Sequence, residues 1–397
     1  MQDRTLNLIK LLGNSKSTFL FGPRGVGKTT LAMHFLKEMS TIQQFLNINL
    51  LRGIQFSRYL KNPSLLASEI ETILKKNEQL TVCIDEVQKL PSLLDEVHHL
   101  LVTYPKRLQF LLTGASARKL KRGGANLLAG RAWTLHLYPL THLECEFDLN
   151  KALIYGTLPG VYLEDQAPER TLNAYVNTYL KEEIQIESRI RNLQAFARFL
   201  DVAAQMNGDP VNYSSIGREV GVSANTIKEY YQILEDTLLV FRIDGWTRSV
   251  RKQLLKSPKY YFFDCGILNT INGDIRTELK AGSRRFGDLF ETLIILEIIR
   301  LNHYWETGFQ FHYWRTNSGT EVDLILRKSP ADPLIAIEIK SGLAPGPEDL
   351  SGLKSFLSEN PNTKPIVLSR TPNAYEIEGI PILPWMEGIQ SALQNKF

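Results

Sequence analysis

Residues 17–30 read STFLFGPRGVGKTT: an apolar run at 17–22 passes without a break into Gly22-Pro-Arg-Gly-Val-Gly-Lys-Thr29. That octet fits G-x-x-x-x-G-K-[ST] in full, with a strand expected before it and a helix, 28–39, after it. The glycines let the backbone wind tightly, so that successive N–H groups point inward, and the helix start adds partial positive charge. Such a cradle suits phosphate oxygens. The expected nucleotide-binding residues are Gly22, Pro23, Arg24, Gly25, Val26, Gly27, Lys28, Thr29 and Thr30. Lys28 reaches the β and γ phosphates and Thr29 offers its hydroxyl to a metal ion, so the loop calls for ATP and Mg2+.

Working outward, Thr81-Val-Cys-Ile-Asp-Glu86 is an apolar strand ending in two carboxylates. Asp85 is placed to hold Mg2+ through water, and Glu86 to orient and polarise the attacking water. Phosphoryl transfer needs mainly positioning and charge neutralisation, so these groups suffice for hydrolysis. The strand 108–114 brings Thr113, with Ser116 nearby, to where a polar side chain can sense the γ-phosphate. Arg131 closes a stretch, 97–143, that holds no acidic residue, and it is the candidate arginine finger for a neighbouring subunit's nucleotide. Arg118 and Arg122 compete for that role. A finger supplied in trans implies a homo-oligomer. Strands at 17–22, 45–50, 81–86, 108–114 and 132–140 alternate with helices at 28–39, 64–76 and 92–103, the pattern of an α/β domain with a mainly parallel sheet, residues 1–142.

The 397 residues exceed one compact core and suggest roughly two to four domains. Composition is ordinary globular, 43% hydrophobic and 22% charged, which excludes a disordered or collagen-like chain. Three distant cysteines, Cys83, Cys145 and Cys265, provide neither a disulfide framework nor a four-cysteine metal site. The sequence begins without the apolar stretch of a secretory signal, and no run of about 18 uncharged apolar residues occurs, so a cytoplasmic protein without membrane spans is expected. The net charge of +4 is too small to prove a polyanionic partner. Its distribution says more: cations collect at 106–131 and again from Arg242 to Lys259, through Arg248, Arg251, Lys252 and Lys256, with Asp244 the single acid. The functional reading is a phosphate footprint, and the plainer one a pair of solvated faces.

From 143 to 208 the pattern turns helical, a small lid ending at Asn207-Gly-Asp-Pro210. Tyr213 to Leu234 then reads helix, tight turn at Gly221, helix, with Ile216, Val220, Val222, Ile227, Tyr231 and Leu234 at core spacing and Ser223 as N-cap. In a helix-turn-helix of this form, Ser223, Asn225, Thr226 and Lys228 would face DNA. The stretch 238–243 reads as the first strand of a wing, placing a winged helix-turn-helix at 209–262, with Arg248, Arg251 and Lys252 gripping phosphates. A protein-docking role is open to the same segment.

Residues 263–397 form a further α/β region. In Glu321-Val-Asp323-Leu-Ile-Leu326 the carboxylates fall on one face, and in Ile335-Ala-Ile-Glu338-Ile-Lys340 the polar pair opposes three isoleucines. Hairpin pairing gathers Asp323, Glu338 and Lys340. Carboxylates so close repel unless a cation sits between them, and a lysine there can activate water. Glu291, in the apolar helix 286–301, is costly to bury alone, and the metal cluster offers a partner.

The order GPRGVGKTT, VCIDEVQKLP, LLTGASARKL, LLAGRAWTLHLYPLTHLE resembles AAA-type ATPases that carry a conserved C-terminal domain of unknown function, over nearly the whole chain. Tyr179-Leu-Lys-Glu-Glu-Ile184 is similar to that family's helical motif, with Glu183 where Asp is expected. The resemblance implies an ATP-binding core and a winged helix. Glu291, Asp323, Glu338 and Lys340 resemble the PD-(D/E)xK nuclease superfamily, which implies a restriction-endonuclease-like fold, active or persisting as an inactive platform. Two functions follow from these readings: an ATP-driven machine acting on duplex or branched DNA, and an ATP-gated switch whose later domains dock proteins.

Overall fold

The computed structural model describes residues 3–8, 16–39, 44–115, 118, 120, 128–164, 166–180, 192–247 and 256–395. They form two compact units: one holds the chain up to Pro139 with Asp236–Leu238, the other Leu140–Glu235 with the chain from Leu239 onward. The segments expected as lid, helix-turn-helix and nuclease-like domain all lie in the second unit.

In the first unit, β1 (Ser17–Phe21), β2 (Gln44–Asn49), β3 (Leu80–Asp85), β4 (Leu108–Gly114) and β5 (Ala132–His136) make a parallel sheet of order β2-β3-β4-β1-β5. The central strands β1 and β3 are buried along their whole length, as continuous apolar runs in a sheet covered on both faces must be. The covering helices are α1 (Lys28–Met39), α2 (Gly53–Lys61), α3 (Leu65–Leu74) and α4 (Leu93–Thr103). Of these, α2 was not legible: it is short, buries only Tyr59 and leaves Ile54 and Leu60 exposed. Parallel pairing brings the ends of β1, β3 and β4 to the same edge, with Leu20 opposite Thr113 and Ile84 opposite Leu112.

In the second unit, α5 (Leu149–Tyr155), α6 (Pro159–Tyr162), α7 (Pro168–Ala174) and α8 (Leu193–Gln205) precede α9 (Tyr213–Val220) and α10 (Ala224–Asp236). The turn between α9 and α10 is built as expected. Gly221 takes φ +81°, a Cβ on Gly217 would lie 2.7 Å from the Val222 carbonyl oxygen, and Ser223 Oγ accepts from the Thr226 N–H at 3.1 Å. Beyond it, β6 (Val240–Gly245) and β7 (Lys259–Phe262) pair antiparallel, α11 (Cys265–Ile271) and α12 (Arg284–Tyr304) follow, and then β8 (Gln310–Arg315), β9 (Glu321–Arg327) and β10 (Leu334–Lys340). Helix α13 (Ser351–Glu359), β11 (Thr363–Ser369), β12 (Tyr375–Ile377), β13 (Ile380–Pro384) and α14 (Trp385–Gln394) complete the chain.

The strand expected to open a wing is shared: β6 pairs with β8, so β6 and β7 extend one sheet of order β12-β13-β11-β10-β9-β8-β6-β7. A second departure lies in β9. Two of its residues, Asp323 and Leu324, stand against the single Tyr313 of β8 between the pairs Trp314–Val322 and His312–Ile325. This bulge breaks the simple alternation, and Val322 and Ile325 enter the same core with Trp314 and Phe356.

Helix α12 is apolar nearly all round because it is buried nearly all round. It carries two charges inside. The Arg300 guanidinium donates to the Leu140 and Phe263 carbonyls at 2.9 Å each, and to Glu297 Oε1 at 3.3 Å; Glu297 Oε2 accepts from the His142 backbone N–H at 3.0 Å. Removing one partner of a buried ion pair leaves an uncompensated charge. Arg300→Met is therefore expected to cost the second unit about 3–5 kcal/mol, read as an earlier guanidinium unfolding midpoint; an unchanged midpoint contradicts this role for the network.

Candidate functional site

At the shared edge of the first sheet, the loop after β1 has its glycines where the backbone needs them. Gly25 and Gly27 take φ +78° and +93°, and a Cβ on Gly22 would lie 2.1 Å from the Leu137 carbonyl oxygen. Arg4 braces the outside, donating to the Val26 carbonyl at 2.9 Å and the Tyr138 carbonyl at 2.6 Å. Lys28 is buried, and its Nζ donates to the Gly22 and Pro23 carbonyls at 2.7 and 2.9 Å, folded back over its own loop.

Around Asp85 three elements meet. Thr29 Oγ1 donates to both Asp85 oxygens at 3.1–3.2 Å, and Thr113 Oγ1 donates to Asp85 Oδ1 while accepting the Glu86 N–H at 3.2 Å. The expected metal pair, Thr29 and Asp85, and the expected sensor Thr113 are thus in one hydrogen-bonded cluster. These residues fit Mg2+ with a triphosphate: a tight glycine loop, a buried ammonium, a hydroxyl and a carboxylate. When bound, that ion neutralises phosphate charge.

Glu86 leaves the strand with φ +61°, a conformation costly for a residue with a Cβ, and it is 7% exposed. Its Oε2 accepts from Gln88 Nε2 at 2.6 Å. Gln88, which the sequence did not single out, holds this carboxylate by that bond. The structure makes room for it at Gly114, where a Cβ would lie 2.5 Å from Gln88 Oε1. Arg131 is exposed and sits just before Ala132, which pairs with Ser17 at the start of β1, four residues upstream of Phe21 where the loop begins. At about 3.3 Å per residue it stands at the far edge from its own chain's phosphate loop. Ser116 and Arg122 lie outside the described residues.

The second unit holds a polar cavity of about 650 Å³ lined by all four expected nuclease-like residues, Glu291, Asp323, Glu338 and Lys340, and also by Lys259 and Glu321. Lys340 Nζ is 2.8 Å from Glu338 Oε1, and Asp323 Oδ2 accepts the Ile339 N–H at 2.7 Å. Burial, then the neighbouring Glu338 and Glu291 charges, pushes the Asp323 carboxyl well above its usual range, and burial pushes Glu338 up to about 7.

The partner expected for Glu291 is corrected: Glu291 Oε1 accepts from the Tyr261 hydroxyl at 2.8 Å and lies 3.9 Å from Lys259 Nζ. Among the described residues, no three His, Cys, Asp or Glu side chains are arranged to hold a metal ion. Glu338 Oε2 is nevertheless buried without a hydrogen-bond partner. With Asp323 it supplies a two-carboxylate donor set, which suits Mg2+ completed by water.

Lys259 also revises the second basic tract. It is 4% exposed and ion-paired with Glu321, while Arg242 at the other end is 2.8 Å from Asp244. Arg248, Arg251 and Lys252 lie outside the described residues, as do residues 181–184 of the YLKEEI motif. On α10, Asn225 and Lys228 are exposed and Lys228 Nζ sits 5.5 Å from the centre of the Tyr213 ring; Ser223 and Thr226 hydrogen-bond each other at 2.9 Å.

Residues 14–146 match the AAA domain family, residues 146–278 a domain of unknown function (DUF8612), and residues 286–387 another (DUF4143). The chain is 25% identical over 335 residues to the uncharacterized protein Rv2008c of Mycobacterium tuberculosis, covering 83% of this chain and 71% of that one. It is 23% identical over 333 residues to an uncharacterized protein of Haemophilus influenzae, covering 79% and 78%. AMPPCP-bound DnaA from Aquifex aeolicus aligns at 16% identity and a TM-score of 0.29, covering 57% of this chain and 84% of that one. The replication initiator DnaA bound to AMPPCP and single-stranded DNA aligns at 14% and 0.30, covering 57% and 85%. The loop, the parallel sheet and the family match make the N-terminal region an AAA-type P-loop ATPase domain. Among the described residues, no helix is long and apolar enough to cross a membrane.

Lys28→Ala is expected to lose nucleotide binding in equilibrium titration. Glu86→Gln is expected to keep ATP while turnover falls about 10²–10⁴-fold; normal turnover in that variant refutes the role given to Glu86.

Proposed function

We propose that this chain hydrolyses ATP with Mg2+ at the P-loop and couples turnover to moving or remodelling DNA, duplex or branched, in a homo-oligomer in the cytoplasm. The observation that carries the reading is the meeting of Thr29, Asp85, Thr113 and Glu86 at the edge where Lys28 caps the loop. In it Glu86 orients water, Lys28 and the loop amides neutralise phosphate charge, and Arg131 serves a neighbouring chain's nucleotide. Its position away from its own loop supports action in trans. Helix α10, through Ser223, Asn225, Thr226 and Lys228, contacts DNA together with Arg248, Arg251 and Lys252. The carboxylate pocket cleaves with Mg2+, Lys340 positioning the attacking water.

A second reading, an ATP-gated switch with protein-docking later domains, is favoured by one observation: Arg242 and Lys259 are already paired with carboxylates. The two readings diverge in an ATPase assay with single-stranded, duplex and branched DNA. Faster turnover with DNA, and DNA affinity that falls steeply with salt, are expected of the first; no stimulation by any of them favours the switch. Lys340→Ala is expected to abolish Mg2+-dependent cleavage and leave ATP turnover unchanged, and cutting that survives it places the activity elsewhere.

A further inference from the structure

The carboxylate pocket is divided into two halves by what already occupies it. On one side stands Lys259 at the start of β7, its side chain 4% exposed. Its ammonium is ion-paired with Glu321, lies 3.9 Å from Glu291 Oε1, and faces the Tyr313 ring at 5.2 Å from the ring centre. Burial opposes this charge, yet the carboxylates of Glu291, Glu321 and Asp323 outweigh it and hold the lysine above its usual range. Tyr261 donates to the same Glu291 oxygen and fixes its direction. On the other side, Glu338 Oε2 is buried with no partner, although the residue is only 6% exposed, and Asp323 uses one oxygen on the β10 backbone. Each half therefore has a lysine, Lys259 on Glu321 and Glu291, and Lys340 at 2.8 Å from Glu338 Oε1, but only the Glu338 half keeps an open oxygen, Oε2.

We propose that Lys259 is a built-in cation of this pocket, standing where a second divalent ion would otherwise sit between Glu291 and Glu321, so that the pocket admits one divalent ion, beside Glu338 and Asp323. This rests on the metal-dependent reading of the pocket. Lys259 is a positioning residue: it anchors two carboxylates and leaves the open oxygens to a single ion. Replacing it by a neutral side chain removes the cation that Glu291 and Glu321 share, leaving Glu291 only the Tyr261 hydroxyl and Glu321 only Arg315 at 3.6 Å, and two carboxylates so placed on a polar cavity are a site for a hard cation.

The test is Mn2+ titration of the nucleotide-free full-length chain, with free Mn2+ followed by electron paramagnetic resonance. The ions belonging to the pocket are those lost in Glu338→Gln and Glu291→Gln variants. The native chain is expected to bind one, abolished by Glu338→Gln and indifferent to Glu291→Gln. Lys259→Met is expected to bind two, the second abolished by adding Glu291→Gln. Lys259→Arg keeps the charge and is expected to stay at one, which keeps the inference open to refutation if the methionine variant does not fold. Two pocket ions in the native or arginine chain, or one in a folded Lys259→Met chain, overturn the inference and leave the metal reading standing. A native chain with no ion sensitive to Glu338→Gln overturns both.

Discussion

The carboxylate of Asp85 is the point on which the first unit's chemistry depends. It accepts hydrogen bonds from Thr29, which follows the phosphate loop, and from Thr113, which ends the strand lying between β1 and β3. Because β4 separates the loop strand from the Asp85 strand, neither is in direct register with the other, and the two hydroxyls do the joining. Side chains on three elements thereby set the height of the loop against the carboxylates. Glu86, one residue on, is turned out of the strand and tethered to Gln88, so its carboxylate has a defined position before any ligand arrives.

The second unit is held by a different kind of interaction. Arg300, Glu297 and His142 are charged or ionisable groups on buried positions; Arg300 and Glu297 each bond to backbone as well as to a side chain, and the His142 ring meets Glu297 Oε2 at 2.6 Å. A network of this kind adds little net stability over a well-packed apolar core, but its directional bonds reject alternative packings. Asp264 works alongside it, capping α11 through the Gly266 and Ile267 amides and accepting the Thr157 N–H at 2.7 Å. Segments from 140–157, 263–271 and 297–300 are in this way tied at fixed points, which explains why a region that reads as several short helical and β-rich stretches folds as one unit.

How much of this was legible depended on whether the determining pattern was local. The phosphate loop, β1, β3 and β4 follow from runs of neighbouring residues, and so does the cap Ser223 at the α9–α10 turn. Asp323, Glu338 and Lys340 follow from strand alternation, even though the bulge at Asp323 means that alternation is not what aims that side chain, and Glu291 follows from the cost of burying a carboxylate in an apolar helix. Lys259 was read as part of a basic surface because its neighbours in sequence are cations. Its true neighbours, Glu291 on α12 and Glu321 on β9, lie more than thirty residues away in sequence and are brought in by the fold. Gln88 carries a weaker lesson: an amide two residues past the Asp85-Glu86 pair is a signal available in the sequence, but only the tight approach at Gly114 shows why it is held there.

Electrostatics then constrains what the second unit can do with a nucleic acid. A pocket in which Asp323 and Glu338 are both driven toward their neutral forms repels a phosphate backbone as soon as those groups ionise. Cations offset this only where they are not already committed, and Lys259 and Lys340 are both committed to carboxylates inside the cavity. Attraction for a polyanion must therefore come either from an added divalent ion or from cations outside the pocket. On the proposed reading, the carboxylates that would hold Mg2+ also make the cavity a poor docking site for DNA without it, so DNA binding and metal occupancy would be one linked equilibrium rather than two independent properties.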